Sequence, residues 1–317
     1  MKIKLFGTRG SIAAPLGNKA YLEKIQDILE RCVDSFITSR EQIPDFIENL
    51  PQYLKYTAGG DTTCIHVTSS AGKHYMVDCG TGGRVLGDEL MGTDFGKGKG
   101  EMEFFITHTH WDHIQGIPFF KPVYIPGNKI NFRSPYPDLE TRLINQQVKE
   151  FFPMPFHATA STKTFQTLEK DQVLEFPDGM KISFGPLKHP GGSYAYKFEE
   201  NGKIFIFATD AEFTGDDLGL VRDMTPFFGG ADMLVLDSQY TLDESFAKFD
   251  WGHTSYTMAV NCATIWGIKT LVLTHHEPAY NDKKVFEILE EAIEHKRHLG
   301  GSPLELILAR EGMVIDL

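Results

Sequence analysis

Three histidines and an aspartate fall within six residues, His108-Thr109-His110-Trp111-Asp112-His113, directly behind the apolar run Phe104-Phe105-Ile106. This cluster constrains the chain more than any other feature. Behind a strand, residues i and i+2 point the same way, so His108 and His110 can face one metal ion together. Asp112 and His113, in the turn that follows, can face a second. Imidazole and carboxylate are ligands that zinc, iron and manganese all accept. A solvated histidine loop is the ordinary alternative, and it does not account for this density behind an apolar strand.

The formal net charge of −12 argues against a protein that tracks a polyphosphate backbone, since such binding needs clustered Lys and Arg. Nucleic acid is therefore not the expected partner, whereas a small anionic substrate held at a metal centre is compatible with that charge. The four cysteines, Cys32, Cys64, Cys79 and Cys262, are far apart and form no C-x-x-C pair, which predicts buried reduced thiols. The opening residues Met1 to Gly7 turn polar too soon for a signal-peptide core. No apolar run reaches the ~20 residues of a membrane span. The expectation is a soluble cytoplasmic enzyme with no membrane partner.

Along the chain, Ile3 to Phe6 predicts an opening strand. Tyr21, Leu22, Ile25, Ile28, Leu29, Val33, Phe36 and Ile37 fall at steps of three and four, one face of a helix over 20–40. Pro44 opens a second short helix. Strands are expected over 62–68, 74–77, 103–106, 129–132, 181–184, 194–198, 204–208, 233–236 and 270–273. Helices are expected over 81–90, 139–151, 255–266 and 283–298. Many short strands among a few helices predict two sheets with helices outside them, an α/β chain of αββα layering. No linker or repeat divides it, so residues 1–317 read as one domain, with 17–57 a helical insertion. The apolar face of that insertion must be covered, by this chain or by a second copy in a homodimer.

His-x-His-x-Asp-His resembles the signature of the metallo-β-lactamase superfamily. Other segments match the superfamily's pattern in order: Asp78-Cys79-Gly80-Thr81-Gly82, then His189 in Lys188-His189-Pro190, Asp210 in Ala208-Thr209-Asp210, and His275 in Leu273-Thr274-His275. The resemblance implies the metallo-β-lactamase fold and two divalent metal ions, with zinc expected and manganese or iron as alternatives. It gives one metal His108, His110, His189 and Asp210, and the other Asp112, His113, Asp210 and His275. His275 and His276 are adjacent and would face opposite ways on a continuing strand, so either can be the last ligand; the Leu-Thr-His match favours His275.

Within the superfamily, Gly252-His253-Thr254-Ser255 resembles the Gly-His-Ser-Thr segment of the ribonuclease Z and cyclic phosphodiesterase branch. The resemblance implies that His253 contacts a phosphate and that Asp237, in Leu236-Asp237-Ser238, orients it. The implied activity is hydrolysis of a small cyclic or diester phosphate, a cyclic nucleotide or related compound, by a hydroxide held between the metals, with Asp112 helping to orient it. A lactonase or other carboxyl-ester hydrolase could use the same metals, and tRNA 3′-end processing is the third reading. The chain lacks an evident basic, glycine-rich arm for gripping tRNA. Arg9 is expected to be a surface structural arginine rather than a phosphate ligand. His66, His74, His157, His295 and His298 are expected to have no part in the site.

Overall fold

The computed structural model describes residues 1–300 and 303–317. In chain order its strands are β1 (Lys2–Gly7), β2 (Cys64–Thr68), β3 (His74–Val77), β4 (Glu101–Phe105), β5 (Lys129–Ser134), β6 (Thr162–Thr167), β7 (Leu174–Glu175), β8 (Lys181–Leu187), β9 (Ser193–Glu200), β10 (Lys203–Ala208), β11 (Met233–Asp237), β12 (Thr270–Thr274), β13 (Glu305–Leu308) and β14 (Val314–Asp316). They form two sheets, ordered β14-β1-β2-β3-β4-β5-β6 and β13-β12-β11-β10-β9-β8-β7.

The run Met233-Leu234-Val235-Leu236 is apolar without alternation, which requires cover on both faces of its sheet. Every residue of β11 is buried. Met233 and Val235 join Val272, Phe205 and Phe207 against Ile3, Leu5, Val67 and Val77 of the first sheet. Leu234 and Leu236 face the other way and pack with Ala259 and Ala263 of the helix Tyr256–Ile265. On the outer face of the first sheet, Leu86 and Leu90 of the helix Gly82–Leu90 join Met76, Phe104 and Phe132. The result is the predicted αββα sandwich.

Half of each sheet is parallel: β3-β4-β5-β6 and β10-β11-β12-β13. The registers are in step, pairing Val77 with Phe105, Ala208 with Leu236, and Asp237 with Thr274. Carboxyl ends of parallel strands are where α/β sheets bind ligands. Alignment of these ends sets Asp78, Asp210, Asp237 and His275 along one rim.

Some expectations need correction. The strand before the histidines ends at Phe105, so His108 and His110 lie on a loop and do not owe their convergence to strand alternation. Asp112 and His113 lie in a short helix, Trp111–Ile114, rather than an open turn. The helix expected over 139–151 stops at Gln146, and residues 147–152 turn back, with the N–H groups of Phe151 and Phe152 both bonded to the Val148 carbonyl. The first long helix is Asn18–Asp34, shorter than expected, since Phe36 takes a left-handed φ of 51°. Its apolar face is only partly covered by this chain: Ile25 and Ile28 are half-buried, no residue of the helix is fully buried, and Tyr21, Leu22, Leu29 and Val33 are exposed. Lys24 ties it to the body through Asp282 at 2.7 Å. All four cysteines are free; three are buried and Cys32 is half-buried. Among the described residues no helix is long and apolar enough to cross a membrane.

Candidate metal centre

The loop and short helix after β4 carry His108, His110, Asp112 and His113, and strand ends deliver the other residues of the centre. The chain leaves β3 at Asp78, β10 at Asp210 and β12 at His275, and these three take positive φ of 55°, 59° and 63°. Left-handed backbone is unfavourable for side chains with a Cβ, though Asp and His are over-represented there. The surrounding sheet holds these three conformations, which cluster where function needs them. His189 follows β8 by two residues.

Two groups of donor atoms result. In one, His108, His110 and His189 each offer a nitrogen, all within 4.8 Å of one another. His189 Nε2 lies 3.1 Å from His110 Nδ1. The second group is Asp112, His113, Asp210 and His275, likewise within 4.8 Å and all four buried. Asp210 reaches both: its Oδ1 is 3.8 Å from the Nε2 of His108 and of His189, while its Oδ2 is 2.9 Å from His113 Nε2. His275 Nε2 is 3.4 Å from Asp210 Oδ1. The seven residues named by the sequence are all brought together.

Whether metal ions fit can be judged from these atoms. The Nε2 atoms of His108 and His275 are buried without a hydrogen-bond partner, as are His113 Nε2 and Asp210 Oδ2, whose 2.9 Å approach lacks hydrogen-bond geometry. Buried polar atoms are nearly always paired, and four such orphans within the two donor groups are the pattern of a divalent-cation ligand set. The donors are nitrogen and carboxylate oxygen, which suits zinc or a similar divalent ion. The fold family implies such ions, and these residues fit them. Burial pushes His108 well below the ordinary imidazole range, helped by His113. Burial also opposes the charge on Asp210, but His113, His275 and His108 hold that carboxyl well below the usual carboxylate range.

Around the donors is a supporting shell. Asp78 accepts from His113 Nδ1 at 2.7 Å and from the backbone N–H and hydroxyl of Thr107 at 2.8 and 2.7 Å. It therefore fixes the His113 ring and the start of the histidine loop at once. A side chain on Gly80 would run into the Asp112 carbonyl, which explains the glycine in that motif. The Ser11 N–H donates to Asp112 Oδ2 at 2.9 Å, joining the N-terminal loop to the centre.

His253 stands beside the donors, its ring stacked on that of His275 at 5.0 Å. Its Nδ1 lies 2.7 Å from Asp237 Oδ2, so the pair expected from the sequence is in contact. Burial alone would lower the imidazole pKa, but Asp237, with Asp210 and Asp112 behind it, pushes it up to about 9. His253 lines a cleft of about 430 Å³ together with Ser11, His110, Asp112 and Asp210. With Nδ1 committed to Asp237, Nε2 is the nitrogen left for a ligand there.

Glu212 was not legible in the sequence. It is buried, and its carboxylate accepts from the N–H groups of Asp250 and Gly252 at 2.9 and 3.1 Å, which holds the turn before His253. Its partners lie about forty residues away, beyond any local pattern. Arg9 is structural, as expected, but it is not on the surface. It is buried, and it donates to the carbonyls of Gly59, Glu277 and Tyr280. His276 turns away from the cluster, its Nε2 3.0 Å from the Ala309 carbonyl, which leaves His275 as the residue facing Asp210. His66 and His74 bond each other, and His295 bonds Asn261, all outside the centre.

The chain belongs to the β-lactamase superfamily: the family described as "Beta-lactamase superfamily domain" matches residues 103–276, more than half its length. With the layered fold and the His/Asp cluster, it is a hydrolase of the metallo-β-lactamase class. Ribonuclease Z of Prochlorococcus marinus (strain MIT 9301) is 20% identical over 278 residues, covering 71% of this chain and 86% of that protein. Among solved structures, the metallo-β-lactamase fold protein YhfI from Bacillus subtilis superposes with a TM-score of 0.64 at 18% identity, covering 99% of this chain and 98% of that one. A diphosphatase of the PhnP family gives 0.58 at 16% identity, covering 100% and 97%.

Proposed function

We propose that this hydrolase is a phosphodiesterase with two divalent cations, zinc by preference, acting on a small cyclic or diester phosphate such as a cyclic nucleotide. The observation that carries the reading is the His253–Asp237 pair, 2.7 Å apart, at the wall of the cleft that the donor groups open onto. Ester hydrolysis at phosphorus needs a group that gives a proton to the departing alkoxide, and a fixed imidazole does this well. Support also comes from the similarity to ribonuclease Z and to a diphosphatase, names that denote cleavage at phosphorus.

Bound at the two donor groups, divalent cations would supply an activated water and neutralise charge on the phosphate oxygens. The chain's own residues do the rest. Asp112, held by the Ser11 N–H, orients the water's proton. As the water oxygen bonds to phosphorus, the bond from phosphorus to the alkoxide breaks and its electron pair goes to the leaving oxygen. His253 Nε2 delivers a proton there, and Asp237 holds the ring in the tautomer and orientation that aim Nε2 at the cleft. The water's own proton passes to solvent.

The test is a pair of chromogenic substrates given to the metal-loaded protein, bis-p-nitrophenyl phosphate and p-nitrophenyl acetate. The reading expects turnover of the phosphate diester well above that of the carboxylic ester; the reverse order would place the chain with carboxyl-ester hydrolases. Processing of tRNA 3′ ends is a second reading, favoured by the ribonuclease Z relatives, and the net charge of −12 counts against it. Cleavage of a precursor tRNA at a higher kcat/KM than any small diester would establish that reading instead.

A further inference from the structure

The turn that follows β1, Thr8-Arg9-Gly10-Ser11, lies against the residues that follow β12. The Gly10 N–H donates to the His276 carbonyl at 3.0 Å, and the His276 N–H donates to the Thr8 carbonyl at 2.9 Å. Arg9 anchors the turn through its three carbonyl partners. A Cβ on Gly10 would lie 2.5 Å from the His275 ring, so glycine is what lets the chain pass this close to a donor. The next residue, Ser11, has a φ of 58°. Outside glycine, left-handed backbone is uncommon and falls mostly to Asn, Asp and His, and such conformations gather at functional sites. Ser11 stands on the wall of the cleft of about 430 Å³, with His110, Asp112, Asp210 and His253.

Each polar group of Ser11 has a defined direction. Its N–H is committed to Asp112 Oδ2 at 2.9 Å. Its Oγ accepts from Gln239 Nε2 at 3.4 Å, and the same Nε2 donates to Glu277 Oε2 at 3.1 Å. A carboxylate accepts and does not donate, so the amide nitrogen is the end of Gln239 that faces Glu277 and Ser11. A hydroxyl that receives a bond from a fixed N–H keeps its own proton for another partner. Among the described residues Ser11 Oγ donates that proton to none.

Among the described residues no Lys or Arg lines the cleft. Apart from the cations, the charge of a substrate phosphate is left to neutral donors and to His253. We propose that the Ser11 hydroxyl donates to a non-bridging oxygen of the substrate phosphate, which makes Ser11 a substrate-binding residue. The inference rests on the phosphodiesterase reading for the ligand's identity. An O–H donor suits an anionic oxygen, since hydrogen bonds to charged acceptors are the stronger kind. Because the N–H of the same residue holds Asp112, Ser11 ties the position of the phosphate to that of the carboxylate that orients the water.

The test measures binding and turnover separately on metal-loaded protein, with dimethyl phosphate as the titrated ligand and bis-p-nitrophenyl phosphate as the substrate. Ser11→Ala removes the hydroxyl and keeps both the N–H to Asp112 and the left-handed backbone demand. Ser11→Gly removes the hydroxyl and relaxes the backbone, so a turn needed only for its shape survives that change. Both variants should keep two ions per chain by elemental analysis. Both should bind dimethyl phosphate about 10–150-fold more weakly, the range for a hydrogen bond to a charged group, and lose kcat/KM on bis-p-nitrophenyl phosphate in the same range. Wild-type affinity for dimethyl phosphate in either variant, or loss of the ions from both, would overturn the proposal. Turnover of bis-p-nitrophenyl phosphate that is indifferent to both changes would overturn it too, while leaving the phosphodiesterase reading in place. Hydroxyl-dependent binding of dimethyl phosphate without hydrolysis of the chromogenic diester would keep Ser11 as an anion contact and remove that reading.

Discussion

The carbonyl of Gly252 accepts a hydrogen bond from His189 Nδ1 at 2.8 Å. One residue thereby couples the two halves of the centre. Its carbonyl fixes a donor of the first group, and its successor, His253, is the proposed proton donor. Gly252 has a φ of +89°, and a Cβ there would collide with the His189 ring. The geometry admits only glycine.

Gly252→Ala should therefore destabilise the fold by about 1–3 kcal/mol, the usual cost of a forced left-handed backbone, and displace His189. The metal content at the His108–His110–His189 group should fall. Denaturant titration and elemental analysis read both effects. A variant with unchanged stability and full metal would show that the turn is not constrained by His189.

Asp210 is the one residue whose two oxygens address both donor groups. Asp210→Ala should reduce the metal content from two ions per chain toward none, and Asp210→Asn should retain more. Elemental analysis of freshly purified protein gives the count. Two tightly held ions in Asp210→Ala would contradict the shared role.

Glu311 lies near Arg9, where its carboxylate accepts from the Asp61 N–H. Burial pushes its pKa up to about 7, above the ordinary carboxylate value, with the charge of Asp61 adding to the rise. A raised folded pKa means that the native state binds the proton more tightly than the unfolded chain. The stability this contributes is complete below the unfolded value of ~4.3 and is lost as pH climbs through about 7. Glu311→Gln keeps the acceptor and removes the titration. Relative to wild type, the variant should gain on the order of 1–3 kcal/mol between pH 5 and pH 8. Urea midpoints for both proteins at those two pH values decide it, and parallel shifts would refute it.

The centre was more legible in the sequence than the framework around it. A motif such as His108 to His113 declares its chemistry through residue type and spacing, and the downstream donors follow in a fixed order. The buried strands β11 and β12 were equally plain, because cover on both faces demands continuous apolar residues. Strand β6 was missed. It lies at the edge of its sheet, and Thr162-Lys163-Thr164-Phe165-Gln166-Thr167 presents a single apolar side chain, so the backbone pairing with β5 that makes it a strand leaves little periodicity. β7, with two residues, is too short to show any. Glu212 has no local signature, because its role depends on the backbone groups of Asp250 and Gly252 far away in the chain. The apolar positions of the helix Asn18–Asp34 predict a covered face, and this chain covers only part of it, at Ile25 and Ile28; periodicity reports that a face is apolar and is silent on what covers it.

His253, oriented by Asp237, is the proposed donor of a proton to the leaving oxygen of a phosphate diester. That role is tested most directly by the leaving-group dependence of His253→Ala, with metal content measured alongside. Both ions should stay bound, and kcat should fall about 10²–10⁴-fold on a diester with an alkoxide leaving group, the range for loss of a general acid. The fall should shrink markedly for p-nitrophenolate, which departs without a proton, and Asp237→Asn should follow the same trend with smaller losses. Near-full activity of His253→Ala on the alkoxide diester, or an equal loss with both leaving groups, would contradict it.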